Sequence, residues 1–194
     1  MDQASDIELI NKYLKNNDQE SFNLLIKKYL DMIYNFTCIY VGNKEDVDDV
    51  VQNTFVKVWK NIKKFNIDKN FKTWIFEIAK NTSLDYLKKK KNINFSELNN
   101  SSDNDDEFIN LIKDDNFSPS EIFENKENAY LVKSEIEKLS IKYKQIINLY
   151  YFNDFNFREI SEILKESIDT VKSKHRRALI LLRENLNKNR NIIN

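Results

Sequence analysis

Apolar positions recur at a helical period along most of the chain. Ile7, Leu9, Ile10, Tyr13 and Leu14 predict a first helix over 6–16. Phe22, Leu25, Ile26, Tyr29, Ile33, Tyr34 and Phe36 predict a second over 19–40. Asp18 and Ser21 are the N-cap choices between them, and Gly42 stands where a C-terminal cap belongs. A third helix, 45–65, turns Val47, Val50, Val51, Thr54, Val58 and Ile62 inward. A fourth, 71–90, carries Trp74, Ile75, Ile78, Leu84 and Leu87 as its apolar stripe. The rhythm lapses over 92–126. There, 99–107 is polar and acidic, the stretch ends around Pro119 with Ser118 or Ser120 as a cap, and Phe108, Ile109, Leu111 and Ile112 form an apolar patch. It resumes with helices near 127–139, 141–152, 157–164 and 168–186. These elements predict an all-α protein of two small helical domains, 1–93 and 127–190, joined by a flexible acidic linker, 94–126.

The segment 157–183 is the most informative. Phe157, Ile160, Ile163 and Leu164 line one short helix, and Val171, His175, Ala178, Leu179 and Leu182 line the next. Lys165-Glu166-Ser167 separates them, with Ser167 placed to cap the second helix. Two helices around a three-residue break form a helix-turn-helix pattern. On the second helix Asp169, Lys172, Ser173, Arg176 and Arg177 face away from the apolar stripe, as residues reading a major groove must. A plain helical hairpin with a solvated basic face is the competing reading. The turn often carries glycine; a left-handed Lys165 in its place costs about 1 kcal/mol.

Composition narrows the chemistry. One glycine, one proline and one cysteine in 194 residues leave no glycine-rich phosphate loop, no intramolecular disulfide and no multi-cysteine metal site. No clustered His/Cys ligands and no nucleophile with a base are present, so neither an enzyme nor a cofactor is expected. Cys38, among Phe36, Ile39 and Tyr40, reads as a buried structural thiol, and His175 as a half-buried packing residue. No signal-peptide pattern opens the chain and no apolar run is long enough to span a bilayer, which predicts a cytoplasmic protein without membrane insertion.

The net charge is zero but segregated. Residues 1–91 carry 16 basic and 13 acidic side chains, 92–140 carry 4 and 12, and 141–194 carry 11 and 6. Within the first block, 57–91 alone hold 11 basic against 3 acidic. Two basic regions flanking an acidic one suggest two contacts with a polyanion. The third helix is polarised too: Glu45, Asp46, Asp48 and Asp49 open it, and Lys57, Lys60, Lys63 and Lys64 close it. Dipole complementarity accounts for that order; docking of a basic partner protein on the acidic, Gln52-bearing end is the sharper reading.

Residues 46–59, DVDDVVQNTFVKVW, with 71–91, FKTWIFEIAKNTSLDYLKKKK, resemble region 2 of the bacterial sigma-70 family. The closest pattern is that of the extracytoplasmic-function (ECF) group. Residues 139–183 resemble region 4 of the same group, so the likeness spans nearly all of the chain outside 92–126. Ser140 where the family usually has proline, Lys165 for glycine, and Ile180-Leu181 where charged residues are usual depart from the pattern. The resemblance implies a region 2 helical bundle, a region 4 helix-turn-helix, and a promoter-specificity subunit without catalysis of its own.

It also implies partners and roles. RNA polymerase core, through its β and β-prime subunits, would dock on Asp46, Asp48, Asp49, Gln52 and Phe55. The −10 element would be held by Lys72, Lys80, Asn81 and Lys88 together with the loop 66–70, which captures a flipped base in this family. Lys80 and Asn81 have no evident internal partner, whereas Phe71 and Trp74 could stack on bases but sit at core spacing. The −35 element would meet Thr170, Lys172, Ser173, Arg176 and Arg177, with Ile180 and Leu181 left to contact protein. Any cognate anti-sigma factor would be a further partner. A free-standing helix-turn-helix regulator binding an operator as a dimer is the alternative, and the acidic block 46–59 has no purpose in it.

Overall fold

Capping and periodicity set the helix borders within the computed structural model, which describes residues 5–91 and 126–193. The linker, its Pro119 with the cap candidates Ser118 and Ser120, and the patch Phe108–Ile112 lie outside the described residues. Among those described, eight α-helices occur: α1 (Asp6–Asn16), α2 (Gln19–Cys38), α3 (Lys44–Asn61, continued by a 3-10 turn Ile62–Lys64), α4 (Phe71–Lys91), α5 (Lys126–Lys138), α6 (Ile141–Ile147), α7 (Phe157–Leu164) and α8 (Ile168–Ile193). No strand occurs among them. Contacts gather them into two units: 5–91 together with 155–166, and 126–154 together with 167–193.

In the first unit, α1 opens on a capping box. Ser5 Oγ accepts from the Glu8 amide at 3.3 Å, and Glu8 Oε2 accepts from the Ser5 amide at 2.8 Å. Asp18 caps α2, accepting from the Glu20 amide at 3.2 Å and from Ser21 Oγ at 2.6 Å. Asp6 ties the two helices together by accepting from Tyr29 Oη at 2.5 Å and pairing with Lys28 at 2.6 Å. Burial and that carboxylate together push the Tyr29 hydroxyl well above the usual tyrosine range. All six residues expected on the inner face of α3 are buried, and Phe55 joins them. Tyr29, Phe36, Phe65, Phe71 and Phe76 form the aromatic centre of the bundle, with Phe36 and Phe76 ring centroids 5.1 Å apart.

Four local expectations are corrected. Gly42 has no left-handed backbone; α2 ends instead in a tight turn in which the Tyr40 and Val41 amides donate to Thr37 O. Cys38 is exposed, because its place on α2 falls one step off the buried stripe of Tyr29, Ile33 and Phe36. Ile7 and Leu14 are exposed on α1. On α4 the buried positions are Phe71, Thr73, Ile75, Phe76, Ala79, Lys80, Thr82 and Ser83, while Leu84 and Leu87 stay partly open. Thr82 and Ser83 are accommodated in that interior by donating to the carbonyls of Ile78 and Ala79, both at 2.8 Å.

In the second unit, Leu139, Tyr143, Ile147, Ala178 and Leu182 make one core cluster, against which Ile136, Tyr151, Leu179 and Leu181 pack. A π turn over Asn148–Phe152 ends α6, and Asn153 Nδ2 closes it by donating to Asn148 O at 3.1 Å and to Asn148 Oδ1 at 2.8 Å. Ser140 begins α6 without a side-chain capping bond.

Candidate nucleic-acid interface

The acidic block of α3 divides. Asp46 is used within the fold: Asn43 Nδ2 donates to it at 2.6 Å and Lys90 of α4 pairs with it. The hydrogen bonds from Lys90 and Tyr86 hold its carboxyl below the usual carboxylate range. Asp48, Asp49 and Gln52 are exposed and rim a groove between α2 and α3. Phe22, Val51 and Phe55 floor that groove, and the exposed apolar side chains Leu30, Val56 and Trp59 extend it. Trp59 is 51% exposed. Exposed apolar surface with a charged rim is what a protein partner covers. The sequence signal for Val56 and Trp59 was present: they are apolar residues on the face that the periodicity assigns to solvent.

Asn70 begins α4, its Oδ1 accepting from the Thr73 amide at 3.2 Å. Phe71 is core, while Trp74 is half-buried and packs on Phe65 and Phe71 with centroids 5.0 and 5.6 Å away. Of the four basic and polar positions expected to meet DNA here, Asn81 and Lys88 are exposed. Lys72 sits with its ammonium 4.7 Å from the centroid of the Phe155 ring. Lys80 departs from expectation. It is only 7% exposed, with the charges of Glu77, Lys165 and Glu166 around it, and burial holds its pKa below that of an ordinary lysine. Its cover comes from 155–166, a stretch far away in the chain, which no local pattern could announce.

Lys165 ends α7 in the left-handed conformation, φ 60°. Ser167 then caps α8: its Oγ accepts from the Thr170 amide at 3.1 Å and lies 2.8 Å from Thr170 Oγ1. Val171, Ala178 and Leu182 are buried on the inner face of α8, and Thr170, Lys172, Ser173 and Arg176 are exposed on the outer face. Arg177 is partly buried. His175 is half-buried beside Tyr150 and Tyr151, with Nε2 3.1 Å from Tyr151 Oη, and burial lowers its pKa. The same burial raises the Tyr151 hydroxyl to about 12. Leu181 packs on the unit's own core, and Ile180 is partly buried, so Leu181 is used within the fold rather than held for an outside partner.

These elements coincide with matches to known proteins. The family model for Sigma-70 region 2 covers residues 25–93, and that for Sigma-70 region 4 covers 131–182. The ECF RNA polymerase sigma factor SigW of Bacillus subtilis is 30% identical over 175 residues, 90% of this chain and 94% of the relative. The ECF RNA polymerase sigma-E factor of Haemophilus influenzae is 28% identical over 179 residues, 91% of this chain and 93% of its own. Among solved structures, CnrH in complex with the cytosolic domain of CnrY aligns with a TM-score of 0.64 at 22% identity, covering 94% of this chain and 97% of CnrH. The sigma factor RpoE of Bartonella quintana, solved with the anti-sigma factor NepR, aligns at 0.61 and 22%, covering 87% and 98%. Those two likenesses concern the fold. With both sigma regions in order and a relative matched along almost its full length, the chain belongs to the sigma-70 family of RNA polymerase sigma factors, in its extracytoplasmic-function group.

Proposed function

We propose that this sigma factor binds RNA polymerase core through the α2–α3 groove and directs it to promoters by two helices, α4 at the −10 element and α8 at the −35 element. Region 2 is assigned to 1–93 and region 4 to 127–190, with 94–126 joining them. The observation that carries the reading is the groove. Leu30, Val56 and Trp59 stand exposed beside Asp48, Asp49 and Gln52, and a partner helix with apolar and basic residues would cover both kinds of surface. Asp48, Asp49, Gln52 and Phe55 form the docking set, while Asp46 supports it by anchoring α3 to α4 through Lys90.

The outer face of α8 suits a major groove: Lys172, Ser173 and Arg176 are exposed in its first turns, on the side that would meet base edges, with Arg177 on phosphate. Thr170 acts there through the Ser167 cap. On α4, Lys72, Lys80, Asn81 and Lys88 would hold the opened strand, with the loop 66–70 receiving a flipped base. Strand opening is then driven by binding free energy alone, and the chain catalyses no reaction. It works beside polymerase in the cytoplasm; among the described residues no helix is long and apolar enough to cross a membrane. A dimeric operator-binding regulator would leave the α2–α3 groove without a purpose.

The test is a pull-down of purified polymerase core by the full chain and by Asp49→Lys and Trp59→Ala. Both variants should bind core at least about tenfold more weakly, a change of about 1.4 kcal/mol. Unchanged core affinity in both removes the groove as the docking site.

A further inference from the structure

We propose that His175 and Tyr151 are positioning residues for the −35 element: their hydrogen bond sets the rotation of α8 about its own axis, and so where Lys172 and Arg176 meet base edges. The inference rests on the reading of α8 as the −35 helix.

At about 100° per residue, the buried residues Val171, Ala178 and Leu182 occupy a narrow arc of α8. His175 stands about 40° from the centre of that arc, on the flank toward Lys172 and Arg176. The border between packing and base contact therefore runs through one side chain. Apolar burial is non-directional, so the arc by itself tolerates small rolls of the helix. Ala178, at its middle, has only a methyl group to resist one. The imidazole supplies the missing direction. Its Nε2 lies 3.1 Å from Tyr151 Oη. Its ring centroid is 5.6 Å from that of Tyr151, with the planes 27° apart, and 4.9 Å from that of Tyr150. Burial lowers the His175 pKa, and the Tyr151 hydroxyl titrates at about 12, so both groups are neutral near pH 7.5. Whichever ring nitrogen then carries the proton, the pair can bond. A leucine at 175 would fill the same flank and make no such bond.

The other end of the bond is held firmly. Tyr151 packs on the cluster of Leu139, Tyr143, Ile147, Ala178 and Leu182. It stands on the π turn Asn148–Phe152, an uncommon conformation that often accompanies function. Leu149 is buried within that turn, and Asn153 locks its end by donating to Asn148 O and Oδ1. Tyr150 and Tyr151 also pack on each other, centroids 4.9 Å apart. Two consecutive tyrosines thus close on one imidazole from a fixed support. With a helix radius of about 5–6 Å, a roll of about 10° moves a side-chain tip by about 1 Å. Hydrogen bonds to base edges need donor–acceptor distances of about 2.7–3.2 Å. A roll that leaves the core packed is therefore enough to misplace Arg176 against a base. Attraction to phosphate falls off slowly with distance, so the same roll spares binding that ignores sequence.

The experiment is a double-mutant cycle read on base preference. Holoenzyme is reconstituted from polymerase core and the full chain, with Tyr151→Phe, His175→Phe, both together, or His175→Gln, which keeps a hydrogen-bonding group near the Nε2 position. Binding is measured to promoters carrying each single substitution across the −35 element, and to a duplex without one. Each Phe variant should lower the preference for the original base at least about threefold at the positions that Arg176→Ala flattens, and the double variant should lower it no further. His175→Gln should hold the preference within about twofold of the parent, and affinity for the duplex without a −35 element should not change. Unaltered preference in both Phe variants overturns the inference. So do losses that multiply in the double variant, or a His175→Gln as deficient as His175→Phe, which would credit the ring and not the bond. A uniform loss on all duplexes, with preference intact, assigns the pair to stability and overturns it too. If Arg176→Ala and Lys172→Ala leave the profile unchanged, the −35 reading itself falls and takes the inference with it. A profile that those two flatten and the Phe variants leave intact sinks the positioning alone.

Discussion

Helices α4 and α8 are both basic and both proposed to meet DNA, yet they present their cations in opposite ways. On α8 Val171, Ala178 and Leu182 are buried on the inner face and the candidate residues Lys172, Ser173 and Arg176 are exposed on the outer one. On α4 two of the four candidates are drawn into the fold, Lys80 buried and Lys72 partly buried against the Phe155 ring, while Asn81 and Lys88 are exposed. A helix that reads duplex DNA can keep packing and binding on separate faces, because the major groove approaches from outside. A helix that holds a single strand works next to the aromatic centre of its own bundle, so its binding residues also serve the fold. Structure and function are separable on α8 and entangled on α4.

The largest expected effect separates the helices by stability. Phe76 is fully buried between Phe36 and Phe155, and Phe76→Ala should lower unfolding free energy by about 3–5 kcal/mol in a urea melt. Arg176→Ala, on an exposed face, should stay within about 0.5 kcal/mol of the parent. Similar losses from both would erase the contrast.

Next in size is specificity. Arg176→Ala should cost about 1–3 kcal/mol of discrimination at one or two −35 positions, measured as binding to a panel of substituted promoters. An unaltered preference profile would mean that the outer face of α8 does not read bases.

Smaller still, Arg177→Ala should weaken binding to all sequences alike and make the salt dependence of log K shallower by about one unit. Lys72→Ala on α4 should show no such loss in duplex binding but should reduce permanganate-reactive opening at −10. A uniform duplex defect from Lys72→Ala would place α4 on closed DNA instead.

The smallest difference concerns acid. The chain's one histidine, His175, lies in the second unit, and burial holds its pKa below the unfolded value of about 6.5. As pH falls through about 6.5 the unfolded chain takes up a proton first, so stability conferred by neutral His175 is present above that pH and declines below it, down to the folded pKa. Thermal melts at pH 7.5 and 5.5 should show this loss in the parent and a reduced one in His175→Phe. A pH response that survives the substitution would assign it to carboxylates.

What the sequence determined by itself is local. The span 6–16, the Asp18 and Ser167 caps, the inner face of α3 and the break at Lys165 all rest on contacts between residues a few positions apart, which periodicity and capping report directly. The resemblance of 46–59 with 71–91, and of 139–183, to the sigma regions was legible for the same reason, since it lies in ordered blocks of residues. Tertiary structure alone decided which cations are available. Lys80 reads as a free polar residue until α7 arrives over it, and Asp46 reads as a docking acid until Lys90, from the far end of α4, pairs with it. Gly42 and Cys38 are corrected for local reasons instead: the turn after α2 closed without a left-handed residue, and the thiol's place on the helix turned it outward. A side chain's partners depend on which distant segment packs against it, and for Asn70 and Glu159 the hydrogen-bond partner is 89 residues away. No pattern within one helix carries that information, because helical periodicity marks the face that turns inward and is silent on what arrives to cover the other.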